Sequence, residues 1–172
     1  MAKDLPPSTH PLTPPLTEEE WLAWLRLLRS RRVGITTFFR LLSEFGEAGA
    51  ALDALPGIAA DAGVTDYAAA SLDDARRELE HGRMTGARLV AIGGDGYPQA
   101  LSTIDDPPPL LWVLGEAALP DRRVAVIGAR NASSLGTRMA RKLAGDLGRA
   151  GLTIVSGLAR GIDTSAHLAA LE

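Results

Sequence analysis

Residues 124–136 read Val-Ala-Val-Ile-Gly-Ala-Arg-Asn-Ala-Ser-Ser-Leu-Gly, and residues 154–163 read Ile-Val-Ser-Gly-Leu-Ala-Arg-Gly-Ile-Asp. Each stretch is a short apolar run that breaks at a glycine and leads into a helix signal. The pattern predicts a strand over 123–127, a helix over 134–150, a strand over 152–155 and a helix over 163–171. Apolar strands alternating with helices indicate a parallel sheet covered on its faces. In such a sheet the loops at the carboxyl ends of the strands are where ligands bind.

The first loop has the chemistry of an anion site. The amides at the start of a helix lack intrahelical partners, and the positive end of the helix dipole lies beside them. Gly128 lets the backbone approach a ligand closely, Arg130 can fork two hydrogen bonds onto one phosphate, and Ser133 can cap the helix or donate. Two commoner phosphate loops are excluded. A dinucleotide fingerprint requires glycine at the places held here by Arg130 and Ser133, and a Walker loop requires a Gly-Lys-Ser/Thr ending that is missing. The second loop carries Ser156 and Gly157, 28 and 29 residues after Gly128, about the length of one βαβ unit. If the two strands are neighbours, both glycine loops lie at one sheet edge, with Arg130 and Arg160 facing it.

Charge supports this. The net charge is −3, yet residues 122–160 hold eight basic side chains against the single acid Asp146, a local balance of +7. Local field governs anion capture more than the total does. Arg138, Arg141 and Arg149 also fit a merely solvated helix face. Asp163 and His167 are four apart and share a helix face, a spacing that permits an acid–base pair. With no nucleophile or metal-ligand set nearby, the simpler assignment is Asp163 as an N-cap with His167 packed one turn on.

Working toward the N-terminus, residues 88–92 and 110–114 read as strands. The turn Gly93–Gly96 and the run Pro107–Pro109 frame an irregular stretch between them that cannot be helical. Before residue 86 the periodicity becomes helical. Thr17-Glu18-Glu19-Glu20 is a capping box, and Trp21, Trp24, Leu25 and Leu28 fall on one face of the helix it starts. A second helix, capped by Thr36, carries Phe38, Leu41, Leu42 and Phe45 and stops at Gly46. Shorter helices are expected over 48–55 and 66–83. The aromatic residues at helical spacing are core residues by this pattern, and Tyr97 and Trp112 are expected to pack against the prolines. Residues 1–16 hold five prolines and read as an extended or disordered tail. The organisation expected is thus a tail (1–16), a helical domain (17–86) and an α/β domain (87–172).

The 172-residue chain contains no cysteine, which removes disulfides and thiolate metal sites. Its three histidines show no metal-ligand spacing. No apolar run approaches the roughly 20 residues of a membrane span, and the start of the chain has no secretory pattern. These features lead to an expectation of a cytoplasmic protein without a cofactor.

Tyr97-Pro98 with Leu101, Asp106-Pro107-Pro108 with Leu111 running to Gly115, GARNASSLG (128–136) and SGLARGIDTSAH (156–167) occur in that order. Together they resemble the DprA (Smf) family of DNA-processing proteins over residues 88–172, and the N-terminal helices look like that family's sterile-alpha-motif-like or helix-hairpin-helix-like domain. The resemblance implies an α/β fold in which the helical domain precedes the first half of an extended Rossmann-like parallel sheet. It implies a non-enzymatic protein that binds single-stranded DNA without sequence preference, protects incoming strands and helps load the RecA recombinase in natural transformation. Single-stranded-DNA-binding protein is a further expected partner, and the full-length protein is expected to form a homodimer. Carried over by position, Gly128, Arg130 and Ser133 are phosphate-loop residues and Ser156 and Gly157 the second loop; Arg160 is added here from its charge and place. The family's Rossmann-like domain continues past the point corresponding to Glu172. The chain is therefore expected to be a fragment, its sheet edge stabilised by pairing with another chain or with its missing half. The alternative is a nucleotide-binding Rossmann-like enzyme such as a nucleoside-monophosphate phosphoribohydrolase, which would need a downstream Pro-Gly-Gly-x-Gly-Thr-x-x-Glu signature.

Overall fold

The computed structural model describes residues 13–116 and 120–172. Most of the proline-rich stretch, residues 1–12, lies outside them. The chain divides into two compact units, residues 1–115 and 116–172.

The first unit begins with α1 (Glu18–Arg29). Its capping box forms as the sequence indicates: the Thr17 hydroxyl accepts from the Glu20 amide, and the Glu20 carboxylate accepts from the Thr17 amide. α2 (Ile35–Phe45) starts one residue before the expected cap. Gly34 is its N-cap and provides no side-chain bond, while Thr36 lies inside the helix and donates to Asp106 at 3.3 Å. α3 (Ala48–Asp61) runs six residues beyond the expected stop and carries Pro56 within it. Proline there removes one backbone bond, but Leu55 and Ala59 are buried on either side of it and the helix continues. α4 (Leu72–Met84) starts six residues later than expected, capped by Ser71. The reason lies some forty residues upstream: the buried Ser30 hydroxyl accepts from the Ala70 amide at 3.0 Å, and Arg26 Nε donates to the Ala70 carbonyl at 2.9 Å. Both backbone groups of Ala70 are thereby tied to α1, so this segment runs extended.

Phe38, Leu25, Leu27 and Leu41 are completely enclosed among these helices, with Trp24 edge-on to Phe38 at 5.1 Å between ring centroids. Two strands share the same core. β1 (Ala87–Ala91) pairs antiparallel with β2 (Leu110–Leu114), and Val90, Ala91 and Leu110 are buried. Trp112 of β2 lies on α4 at Gly82, where an added β-carbon would overlap the indole ring. Its Nε1 donates to Glu78 at 3.1 Å, and the same carboxylate accepts two bonds from Arg29 of α1. Burial works to raise the Glu78 pKa, but the bonds from Arg29 and Trp112 outweigh it and leave the group below the ordinary value. Tyr97 packs toward the prolines as expected, donating to the Pro108 carbonyl at 2.8 Å; Trp112 does not.

The compact units divide at Gly115, beyond residue 86, because β1 and β2 complete the core of the helical unit. One sequence expectation is corrected: these two strands pair antiparallel in a sheet of their own, so they are not part of the parallel sheet.

The second unit is a small α/β arrangement. β3 (Arg123–Ala125) pairs parallel with β4 (Thr153–Val155), and α5 (Ser134–Arg149) and α6 (Ile162–Leu171) follow the respective strands. α5 and α6 meet through small residues: Ala144, Ala166 and Ala169 are buried, and a β-carbon on Gly145 would lie 3.5 Å from the Ala169 carbonyl oxygen. Small residues allow the backbones to approach closely. On its outer side α5 exposes Leu135, Met139 and Leu143, spaced four apart on one face. Among the described residues no helix is long and apolar enough to cross a membrane.

Candidate nucleic-acid interface

The parallel pairing of β3 and β4 brings the two glycine loops together. Val126 donates to the Val155 carbonyl at 3.0 Å, extending the ladder one step past the strands, and both chains then turn away toward their helices. Farther out, the Ile162 amide donates to the Ala129 carbonyl at 3.2 Å. Gly161, at φ 86°, sits against the first loop so closely that a β-carbon would lie 2.6 Å from the Arg130 carbonyl oxygen. The backbone of Arg130 is therefore in direct contact with the residue after Arg160. The juxtaposition expected from the sequence spacing is present.

The two loops are also joined by a carboxylate. Asp163, only 5% exposed, accepts from the Gly128 amide at 3.3 Å through Oδ1 and from the Gly157 amide at 3.1 Å through Oδ2. The Ser156 hydroxyl, 2.6 Å from the Val126 carbonyl, also adjoins this carboxylate. Burial works to raise the Asp163 pKa. The hydrogen-bonding surroundings outweigh it (the Ser156 hydroxyl and the amides of Ala159, Gly128 and Gly157), and the carboxyl is held below the ordinary carboxylate value. Asp163 is not the N-cap of α6, since that position is Gly161. Nor do Asp163 and His167 form a hydrogen-bonded pair: the carboxylate is engaged by the loops, and His167 Nε2 is buried without a partner.

Each residue singled out in the sequence now has a definite place. Ser133 caps α5, accepting from the Gly136 amide at 3.1 Å. Ser156 ties its loop to the neighbouring strand. Gly128 lies under the Ile162 side chain, where a β-carbon would sit 2.7–2.9 Å from its atoms, and a β-carbon on Gly157 would lie 3.0 Å from Asp163 Oδ2. All four therefore have internal work. Arg130 and Arg160 are exposed and take part in no ion pair among the described residues. Helix geometry also leaves the Ser134 and Leu135 amides at the start of α5 without intrahelical acceptors. Leu158, in the left-handed region at φ 55°, is 82% exposed at the tip of the second loop.

The cations of α5 divide into two groups. Arg141 pairs with Glu172, while Lys142 and Arg149 both pair with Asp146, so Arg141 and Arg149 belong to a solvated helix face. Arg138 is exposed and, like Arg130 and Arg160, takes part in no ion pair among the described residues. Sequence reasoning missed the role of Asp163. The signal was the Gly-Ile-Asp spacing after the second loop, which places a carboxylate in the first turn of a helix beside two glycine amides.

Comparison with known proteins gives two family models in tandem. Residues 18–80 match the DprA-like N-terminal HHH domain, and residues 88–172 match DNA recombination-mediator protein A. The boundary between these matches falls close to the residue 86 expected from the sequence. Similar proteins include DNA processing protein DprA of Bacillus subtilis (strain 168), 35% identical over 98 residues, covering 56% of this chain and 33% of that protein. The Streptococcus pneumoniae protein of the same name (strain ATCC BAA-255 / R6) is 40% identical over 102 residues, covering 59% of this chain and 35% of its own. Protein Smf of Escherichia coli (strain K12) is 44% identical over 85 residues, covering 49% and 23% respectively. The matched segments thus span about a third or less of the length of these relatives.

Proposed function

Because this chain belongs to the DprA/Smf family of DNA recombination mediators, we propose that its second unit binds single-stranded DNA through the phosphate backbone at the joined glycine loops. The observation that carries this reading is that the loops bearing Arg130 and Arg160, both exposed and in no ion pair among the described residues, are in backbone contact where two parallel strands end. In this reading the arginines and the free amides of Ser134 and Leu135 receive phosphates. Gly128, Gly157, Ser133 and Ser156 shape the seat. Contacts of this kind read charge and spacing and carry no base information, which suits a protein that accepts any strand.

The protein works in the cytoplasm as a binding protein and not an enzyme. It protects incoming strands during natural transformation and passes them to the RecA recombinase, with single-stranded-DNA-binding protein as a further partner and a homodimer as the full-length form. The phosphoribohydrolase reading fits less well. The innermost amides, which would have to cradle a small nucleotide's phosphate, are already taken by Asp163.

The test is a fluorescence-anisotropy titration of a labelled oligothymidylate at several salt concentrations. Loss of a charge-assisted phosphate contact in Arg130→Ala should weaken binding roughly tenfold or more. It should also reduce the magnitude of the slope of log K against log salt by about 0.7. Unchanged affinity and slope would remove Arg130 from the interface and the loop reading with it.

A further inference from the structure

The carboxylate that joins the loops has a consequence for what the site accepts. We infer that Asp163 is a positioning residue acting as a built-in anion: it fills the innermost phosphate seat and holds incoming phosphates at the outer rim, beside Arg130 and Arg160. The inference rests on the DNA-binding reading above for its functional half, while its structural half stands on the geometry alone.

Three observations carry it. First, the two amides that engage Asp163 come from different loops, Gly128 after β3 and Gly157 after β4, so one side chain fixes the register of both. Second, the carboxylate itself is covered. Asp163 is 5% exposed, the Ile162 side chain packs on Gly128, and a β-carbon on Gly157 would lie 3.0 Å from Oδ2. A phosphate could reach these amides only by displacing the carboxylate, and two anions cannot share the seat. Third, among the described residues its own helix does not engage it: Thr164 and Ser165 donate to the Ala159 and Gly161 carbonyls, and His167 Nε2 has no hydrogen-bond partner. A side chain of the same size but without charge would leave at least one of these two part-buried amide bonds poorly made, which is costly.

This arrangement selects for a polymer. A mononucleotide depends on one deep phosphate seat, which Asp163 occupies. A strand can use several shallow contacts in succession, and those are what the rim offers.

The experiment compares wild type, Asp163→Ala, Asp163→Asn and Arg130→Ala as full chains. Thermal unfolding is followed in sodium formate and in sodium chloride of equal ionic strength, and oligothymidylate binding is measured in both salts. Exchange of the Gly128 and Gly157 amides is followed by NMR. Asp163→Ala should lose protection at both glycine amides and bind the oligonucleotide roughly tenfold or more weakly. Formate, which can enter the vacated seat, should recover much of both losses in Asp163→Ala and have no such effect on wild type. Asp163→Asn keeps the size of the side chain and should fall between them, which guards against Asp163→Ala failing to fold. If Asp163→Ala or Asp163→Asn keeps both amides protected, or if formate and chloride act alike on Asp163→Ala, the built-in anion is refuted. If Arg130→Ala binds as wild type while formate rescue of unfolding holds, the DNA reading fails and the loop clip remains. If Arg130→Ala weakens binding and Asp163→Ala does not, the positioning role fails and the DNA reading remains.

Discussion

In residues 13–115 the core is filled by volume: Phe38, Leu25, Leu27 and Leu41 are enclosed, and Trp24, Leu22, Leu52 and Leu79 add to them. In residues 120–172 the only buried hydrophobic side chains are alanines, Ala140, Ala144, Ala166 and Ala169, while Leu135, Met139 and Leu143 face outward. The first unit is thus held by large side chains meeting one another. The second is held by backbones brought close enough to meet, at Gly128, Gly145, Gly157 and Gly161, and by one buried carboxylate. The two designs should fail in opposite ways. The first is sensitive to losing atoms, the second to gaining them. A phosphate-binding edge is better served by the second design, since a site made of amides needs backbone at the surface and little in front of it.

The largest effect should come from truncation in the first unit. Phe38→Ala removes a fully enclosed ring and its edge-on contact with Trp24, and should cost about 3–5 kcal/mol. Chemical denaturation would measure it, with the lost amide protection in α1–α3. A cost near zero would break the contrast, because it would mean that volume does not hold this unit.

Addition in the second unit comes next. Gly161→Ala introduces a single methyl group, yet it places a β-carbon against the Ala129 and Arg130 carbonyls at a positive φ. The left-handed backbone alone costs about 1–2 kcal/mol, and the carbonyls cannot yield as a flexible side chain would. Exchange of the Ile162 amide, which donates to Ala129, should rise sharply. A silent Gly161→Ala would show that the loops are not in the close contact described.

The smallest effect is expected at the helix surface. Arg141→Ala breaks the exposed pair with Glu172 and should change stability by no more than about 1 kcal/mol. Because Arg141 lies in the paired group, its loss should also leave oligonucleotide affinity nearly unchanged, in contrast to Arg130→Ala. Equal losses from the two arginines would mean that the field of the whole unit, and not its edge, governs binding.

What was legible in the sequence follows from how local each cause is. The α1 capping box is complete within four residues, and the structure contains it as read. The strand over 110–114 is bounded by proline and glycine, and β2 has those same ends. The start of α4 was not legible because its cause is remote: Ser30 and Arg26 hold Ala70 from another helix. The same holds for the unit boundary. Proline and glycine around residues 93–109 suggested a break in pattern, but whether β1 and β2 join the helices or the parallel sheet depends on which core Ala91 and Leu110 enter. At the candidate site, spacing alone located Gly128, Arg130, Ser156, Gly157 and Arg160 at one edge. It could not separate residues with internal bonding roles from those left facing solvent, since glycine and serine serve either purpose.

The seating of Trp112 on Gly82 also bears on how the family can vary. The helix leaves a slot one glycine wide, and the indole fills it while Glu78 holds its ring nitrogen. Neither position can drift by itself: any side chain at 82 evicts the indole, and any smaller residue at 112 leaves an unfilled groove on α4. Among relatives the two should change as a correlated pair, a lineage trace of the strand that joined the helical unit.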